Sequence, residues 1–129
     1  MSTSRAITNG ICVSVEAEYS PERSIPERSY WFFLYTVTIA NESDQTVQLM
    51  SRHWIITDAT GKQQEVRGPG VVGEQPVLDP GESFEYTSGC PLSTPFGSMV
   101  GTYRLVAEDE TEFDVAIGRF ELREEMAIH

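Results

Sequence analysis

The chain has 129 residues, of which 40% are hydrophobic and 22% charged, and this composition is typical of one globular domain with its own core. Twenty acidic residues against nine basic ones give a net charge of −11, which argues against nucleic-acid binding because that affinity depends on Lys and Arg. No apolar run reaches the roughly 18 residues that a membrane span requires.

The N-terminal stretch lacks the apolar segment of a secretory signal, so we expect a cytoplasmic protein. In that compartment Cys12 and Cys90 should stay reduced, and two isolated cysteines form no zinc or redox motif. No cofactor is predicted. We expect a single domain over residues 1–129, with its core at about 11–122 and short flexible termini.

Alternation of apolar and polar residues is the main signal in the first half of the chain. Residues 11–19 alternate in this way and predict a strand. Pro21 and Pro26 then predict a loop, because proline lacks a backbone donor. Residues 30–41 predict the strongest strand, with one apolar face that includes Trp31 and Phe33. Its opposite face carries a second apolar set: Tyr30, Phe32 and Leu34.

A third strand is predicted over residues 46–58, and its pattern changes phase part-way. Val47 and Leu49 share one phase, whereas Trp54 shares the other with Ile56. One extra residue moves all later side chains to the opposite face of a strand. We therefore predict a β-bulge near residues 50–51, at Met50 or Ser51.

The second half of the chain predicts four further strands, at residues 62–66, 84–87, 99–107 and 113–122. Residues 67–76 and 89–98 are predicted to be loops, and no amphipathic helix of useful length is present. The fold class is therefore all-β: an immunoglobulin-like, fibronectin type III-like β-sandwich of about seven antiparallel strands. Tyr103 is placed as a tyrosine corner. The packing is assigned mainly to Trp31, Phe33, Trp54 and Phe113.

Three stretches carry a strong resemblance to the ApaG family: SRHWIITDATG, VRGPGVVGEQPVLDPGESFEYTSG and GTYRLVAEDETEFDVAIGRFEL. The resemblance spans about residues 11–122. It implies a fibronectin-type-III-like sandwich and a domain with no established activity. Bacterial members are linked, by name and genetic neighbourhood, to diadenosine tetraphosphate metabolism and to cobalt and magnesium efflux. Similar eukaryotic domains are fused to F-box and polymerase-associated proteins, which implies protein–protein interaction.

The family's glycine motif falls on Gly68, Gly70 and Gly73, and the spacing G-x-G-x-x-G is also that of a dinucleotide-binding loop. Such a loop needs a helix directly after it, whose N-terminus holds the pyrophosphate. Here the next residues lead straight to the turn DPGE, and Pro69 removes an amide donor. We interpret the segment as a shaped connection between strands. Anion capture aided by Arg67, or a partner contact, is the alternative.

Three other features are candidate sites. His53 lies on a strand with Ser51 and Asp58, but neighbours on one strand do not form a catalytic triad, so we interpret it as a structural or surface histidine. Cys90 has no nearby cation to lower the pKa of its thiol, so we predict an unreactive cysteine.

The acidic residues around the turn EDETEFD, from Glu108 onward, are weak candidates for Mg²⁺ or Ca²⁺ binding. They lack the fixed spacing of an EF-hand, and we interpret them as a solvated hairpin tip whose charges discourage edge pairing. No metal site is predicted. A divalent-cation sensor is the weaker alternative for these residues: Asp109, Glu110, Glu112 and Asp114.

No grouping of nucleophile, base and oxyanion donor is present, so the leading hypothesis is a non-catalytic module that binds a protein partner. Tyr30, Phe32 and Leu34 form the first candidate contact, for a partner or for a homo-oligomer, because aromatic residues are enriched at interfaces. The alternative is a binder of nucleotide or pyrophosphate that uses residues 67–73. No membrane or nucleic-acid partner is expected.

Overall fold

A computed structural model of the chain describes residues 1–124, which form a β-sandwich of two antiparallel sheets. No α-helix occurs within these residues, and none of their segments is a helix able to cross a membrane. His129 and the rest of the predicted flexible C-terminus beyond residue 124 lie outside the described residues. The strands are β1 (Ser2–Thr8), β2 (Ile11–Tyr19), β3 (Trp31–Asn41), β4 (Val47–Asp58), β5 (Gln63–Pro69), β6 (Val77–Leu78), β7 (Ser83–Leu92), β8 (Phe96–Ala107) and β9 (Glu112–Arg123).

The first sheet has the strand order β1-β2-β3-β7, and the second has the order β5-β4-β8-β9, with β6 paired to β4. The predicted all-β, immunoglobulin-like sandwich is confirmed. The proline-containing segment between β2 and β3 holds two short 3-10 turns, Pro21–Arg23 and Pro26–Arg28. Because the two sheets pack face to face, each has one face in the shared core and the other face toward solvent.

Strand β3 lies in the middle of the first sheet and shows the alternation that its sequence predicts. Phe33, Val37 and Ile39 are completely buried between the sheets. Side chains of successive strand residues point to opposite faces, so the intervening residues, from Phe32 onward, lie on the outer face. The position of the outer aromatic residues follows directly from this phase.

The predicted β-bulge is confirmed at Met50. Leu49 pairs with Leu105 and Ser51 pairs with Arg104, so two steps along β4 match one step along β8. The bulge turns Trp54 inward, where it is 2% exposed. It also leaves the Met50 carbonyl outside the β8 ladder, which matters for the glycine segment described below.

The described residues form nine strands, two more than the seven segments that the sequence pattern marks out. Residues 2–8, predicted to be a flexible end, form β1, and residues 77–78 form the short strand β6. Three strands also extend into predicted loops: β5 reaches Pro69, β7 reaches Leu92 and β8 begins at Phe96. Gly68 therefore lies in a strand, and the connection between β7 and β8 is limited to residues 93–95.

The assignment of the core holds for Phe33 and Trp54, which are 0% and 2% exposed. It is wrong in part for Trp31 and Phe113, which are only partly buried and pack at the margin of the core. Trp54 forms edge-on ring contacts with three aromatic residues from both sheets: Tyr35, Tyr103 and Phe120.

The prediction of a tyrosine corner at Tyr103 is also wrong. Its hydroxyl does not bond to the backbone a few residues upstream but to the hydroxyl of Tyr86 on β7. This bond joins the two sheets through the middle of the core. Burial raises the pKa of both Tyr86 and Tyr103, so both hydroxyls stay protonated at neutral pH.

Candidate functional site

The glycine segment folds into a tight turn and does not open into a helix. Val72 and Gly73 form its tip, and both have positive φ, the backbone geometry of a two-residue type I′ connection. Val71 and Glu74 close the turn with two backbone hydrogen bonds of 2.8 and 2.9 Å. Val71 is completely buried and anchors the turn, whereas Val72 is 55% exposed. The backbone of this segment thus forms a shaped connection, as the sequence predicts.

The turn is tied to the bulge in β4 by hydrogen bonds from both sides. Gly70 N donates to Met50 O at 2.9 Å, and the side chain of Gln75 donates to the same carbonyl. Arg52 Nη1 donates to the carbonyls of Pro69 and Gly70 at 2.9 and 3.0 Å. Pro69 has no N–H group to offer. The Gly70 N–H group and the Arg52 guanidinium group, which could otherwise bind an anion here, are thus already bonded to backbone carbonyls of the protein.

One of the three motif glycines, Gly70, has a clear steric reason to be glycine, and a second, Gly68, lies against a flexible side chain. A Cβ atom at Gly70 would lie 2.3 Å from Glu74 O, and the residue has a φ of +60°. A Cβ atom at Gly68 would lie 2.9 Å from Arg52 Nη2, because the guanidinium group packs against the backbone there. Close approach of a neighbouring group is a common reason for glycine in a strand. The folded turn therefore accounts for Gly70 without a ligand, whereas the end of the Arg52 side chain could shift to admit a larger residue at Gly68.

His53 lies beside this segment and bonds to a residue that sequence reasoning did not single out. Its Nε2 atom is 2.8 Å from Oε1 of Glu65 on β5, and Arg67 Nη2 is 3.2 Å from the same oxygen. The hydrogen bond with His53 and the charge of Arg67 lower the pKa of Glu65. Asp58 instead accepts backbone hydrogen bonds in the following turn, so it does not join Ser51 and His53 in a triad.

A cleft of about 260 Å³ lies next to these side chains on the second sheet. Its basic lining consists of Arg52, His53, Arg67 and Arg104. Carboxylates balance much of this charge, since Arg104 lies 2.7 Å from Asp114 and 3.2 Å from Glu112. These contacts raise the pKa of Arg104. Several basic side chains thus lie together in this cleft of an acidic protein, but the three arginines already bond to carboxylates or backbone carbonyls.

The acidic residues of the β8–β9 turn are not brought together around one point. Asp109 accepts a hydrogen bond from Thr111 N, and Glu110 takes a positive φ within the turn. Glu112 and Asp114 both bond to Arg104. In the part of the chain that the structure describes, no group of three or more His, Cys, Asp or Glu side chains is placed to hold a metal ion.

The last candidate site is the aromatic patch, defined as Tyr30, Phe32 and Leu34 on the outer face of the first sheet. The rings of Tyr30 and Phe32 stack with their centroids 6.4 Å apart, and Tyr30 is 39% exposed. Phe32 extends over Gly89 of β7, where a Cβ atom would lie 2.2 Å from the ring. The guanidinium of Arg23 lies 5.7 Å from the Phe32 centroid. Tyr30 is therefore exposed at this edge, whereas Phe32 is half-buried, with Arg23 and Gly89 against its ring.

Comparison with known proteins decides the family. The sequence profile of the ApaG domain matches residues 21–107. The protein ApaG of Beijerinckia indica is 60% identical over 116 residues, which cover 90% of this chain and 89% of that protein. The protein ApaG of Brucella suis is 56% identical over 117 residues, covering 91% and 90%. The chain belongs to the ApaG family. The resemblance predicted from its sequence is confirmed.

Solved structures place this ApaG domain in the same fold as its relatives. The crystal structure of an ApaA protein from Bordetella pertussis has a TM-score of 0.87 and 52% identity, and the match covers 92% of this chain and 96% of that one. The C-terminal domain of Wzt has a TM-score of 0.56 at 11% identity, covering 98% and 80%. At that identity the likeness concerns the fold alone.

Cys90 of this ApaG domain should be unreactive in the folded state. It is 3% exposed, and burial raises the pKa of its thiol from 9.0 to about 12. The thiolate fraction at pH 8 should then be about a thousandfold lower than in the unfolded chain. Stability contributed by the neutral thiol is fully present below pH 9 and is lost as the pH rises through about 12.

Iodoacetamide labelling of a Cys12→Ser variant at pH 8 measures this difference, with the same variant in denaturant as the control. Labelling of Cys90 at similar rates in the folded and unfolded states would show that the thiol is accessible and ionised.

Sequence reasoning missed several residues that shape the ApaG site, and two of them, Glu65 and Arg52, bond to residues of a neighbouring strand or turn. Glu65 meets His53 from β5, and Arg52 reaches the carbonyls of the glycine segment from β4. Val71 is the buried anchor of the turn. Only Val71 carried a local signal, as an apolar residue among glycines, because the register that joins the others depends on the bulge at Met50.

Proposed function

We propose that this ApaG domain is a non-catalytic, cytoplasmic module that binds another protein through the aromatic patch. The observation that carries the proposal is the stacked pair of rings, Tyr30 and Phe32, on the outer face of the first sheet, where Tyr30 is exposed and Phe32 is half-buried. Exposed aromatic residues that are held in place lose little conformational entropy on binding and are common interface anchors. The absence of an assembled nucleophile and base among the described residues agrees with a binding role.

The surroundings of the patch indicate the chemistry of the partner. Glu18 pairs with Leu34 in the sheet register, and Glu16 pairs with the next outer residue, Thr36. Both carboxylates line a shallow cleft beside Leu34. Together with the net charge of −11, they favour a partner that surrounds an apolar anchor with basic residues.

Replacing Phe32 with serine should weaken partner binding at least about tenfold, because it removes the central ring of the patch. Affinity capture with immobilised wild-type and Phe32→Ser protein, followed by titration of the captured partner, measures the loss. Val77→Ser is the matched control, since Val77 is 56% exposed but lies on β6 in the other sheet.

Analytical ultracentrifugation of the same proteins tests whether the partner is a second copy of the chain. Equal partner affinity and equal mass for wild type and Phe32→Ser would contradict the role of the patch.

The second candidate function is binding of a nucleotide or pyrophosphate, for which the cleft with three arginines is the favourable observation. Arg67 and Gly68 would contribute from the end of β5, and Gly70 and Gly73 from the turn that follows it. The paired carboxylates Glu65 and Asp114 oppose this role. Titration calorimetry with ATP, pyrophosphate and diadenosine tetraphosphate, which the family resemblance suggests, separates the two candidates. Saturable heat would support the second.

A further inference from the structure

The two lateral seams of the sandwich differ, because one is closed and the other ends in two strand edges. At the β1–β9 seam, Thr8 Oγ1 accepts a hydrogen bond from Ala116 N, and the Ser2 hydroxyl donates to Glu121 O. At the opposite side, β7 ends the first sheet and β5 ends the second. Edge strands present unpaired backbone groups that can receive another strand.

The register of β7 shows which of its backbone groups face this open edge. Asn41 N bonds to Glu82 O, whereas Phe32 O accepts from Ser20 N on the β2 side. Hydrogen-bonded and non-bonded pairs alternate in an antiparallel ladder, so the odd-numbered residues of β3 bond to β7. Their partners are the even-numbered residues of β7. The odd-numbered residues of β7 therefore point N–H and C=O groups to the edge, and these are Ser83, Glu85, Thr87 and Gly89.

Pro91 occupies the next outward position, where a missing N–H leaves the ladder to β3 intact. The outward run is thus a usable row of donors and acceptors that ends at Pro91. Lysine residues commonly protect exposed edges, but β7 has none, and Glu85 is its only charged residue.

The side chains around β7 offer a different environment on each face. On the outer face, Glu85 and Thr87 are followed by Gly89, over which the Phe32 ring lies. On the inner face, Phe84 is partly buried at the margin of the core. A cleft of about 100 Å³ opens between Gln63 of β5 and the end of β7 near Leu92.

We propose that β7 binds an extended segment of a partner protein as an added antiparallel strand, with apolar residues inward and a basic residue opposite Glu85. The proposal rests on the proposed function and names its binding mode. Apolar side chains would cover the margin at Phe84, and outer side chains would reach the aromatic patch across Gly89. Charge favours this occupant over a second copy of the chain, since two chains of net charge −11 repel each other.

The test uses a short synthetic peptide in which valine alternates with lysine, and the same peptide with glutamate in place of lysine as its control. In NMR amide exchange, the lysine peptide should slow the exchange of Glu85, Thr87 and Gly89. It should leave Tyr86 and Ser88 unchanged, because their N–H groups already bond to β3. The glutamate peptide should have no effect.

Thr87→Pro removes one outward N–H group and should weaken the lysine peptide about tenfold, since it blocks the added ladder. Thr87→Ala is the matched control, because it keeps the outward N–H group and should bind like wild type. Glu85→Lys, which leaves the backbone unaltered, should also weaken binding and guards against a folding defect in Thr87→Pro.

Three results would overturn the edge proposal: equal binding by Thr87→Pro, exchange protection away from β7, or a dimer that Thr87→Pro abolishes. The last result would assign the edge to a second copy. Failure of the edge is distinct from failure of the binding function. If a captured protein binds wild type and Thr87→Pro equally, only strand addition at β7 is contradicted. If the wild-type chain captures no protein, the proposed function itself is contradicted.

Discussion

Replacing Trp54 with alanine should lower the free energy of unfolding by about 3–5 kcal/mol. The indole is 2% exposed and contacts aromatic rings from both sheets, so its removal leaves a cavity between the sheets. Residues from two sheets relax poorly into such a cavity, which adds to the lost burial. Urea denaturation and the melting temperature measure the effect, and we expect the melting temperature to fall by about 10 °C or more.

Phe113→Ala is the matched control for this prediction, because Phe113 is an aromatic residue that is only partly buried. Its loss should cost clearly less than the loss of Trp54, since less surface is removed from the core. An unchanged denaturation midpoint for Trp54→Ala would contradict the central place given to this side chain.

Gly70→Ala should destabilise the domain by about 3 kcal/mol. Positive φ accounts for roughly 1–2 kcal/mol with a side chain present. The new Cβ atom would also lie 2.3 Å from Glu74 O, and overpacking of this kind adds about 1–3 kcal/mol. The turn that carries buried Val71 would have to move, which should also loosen the bond to Met50.

Gly73→Ala separates the two causes, because Gly73 has a φ of +82° and no atom within 4 Å of a built Cβ. Gly73→Ala should therefore lower the free energy of unfolding only by the cost of a positive φ, about 1–2 kcal/mol. Both variants are compared by chemical denaturation. Equal stability of wild type and Gly70→Ala would show that the turn does not require glycine at this position.

The sequence predicted those parts of the fold whose signal is local. The two phases of β4 located the bulge at Met50, and the aromatic alternation of β3 located both of its faces. Strand β1 gave no such signal, because its half-buried residues are small and polar, such as Ser2 and Ser4. The two strands approach closely at the closed seam, where a Cβ atom on Gly118 of β9 would lie 3.3 Å from Ser4 Cβ.

The extent of β7 was underestimated for a related reason. Gly89 and Pro91 normally indicate a loop, but at an edge position with an outward N–H, proline costs no hydrogen bond. Gly89 also makes room for Phe32. For the candidate site, the sequence predicted which residues take part but not which of them bond to each other. The pairing of His53 with Glu65 and of Arg104 with Asp114 depends on cross-strand register, which no single strand encodes.

The closed seam ties the two ends of the described chain together in folding as well as in space. Thr8 and Ala116 are separated by 108 residues, yet one hydrogen bond joins them. During synthesis on a ribosome, β1 can pair with β2 early, but its other side stays uncovered until β9 has emerged. Contacts between such distant segments slow folding, because a large loop must close before they form. The sandwich is completed only after translation of β9.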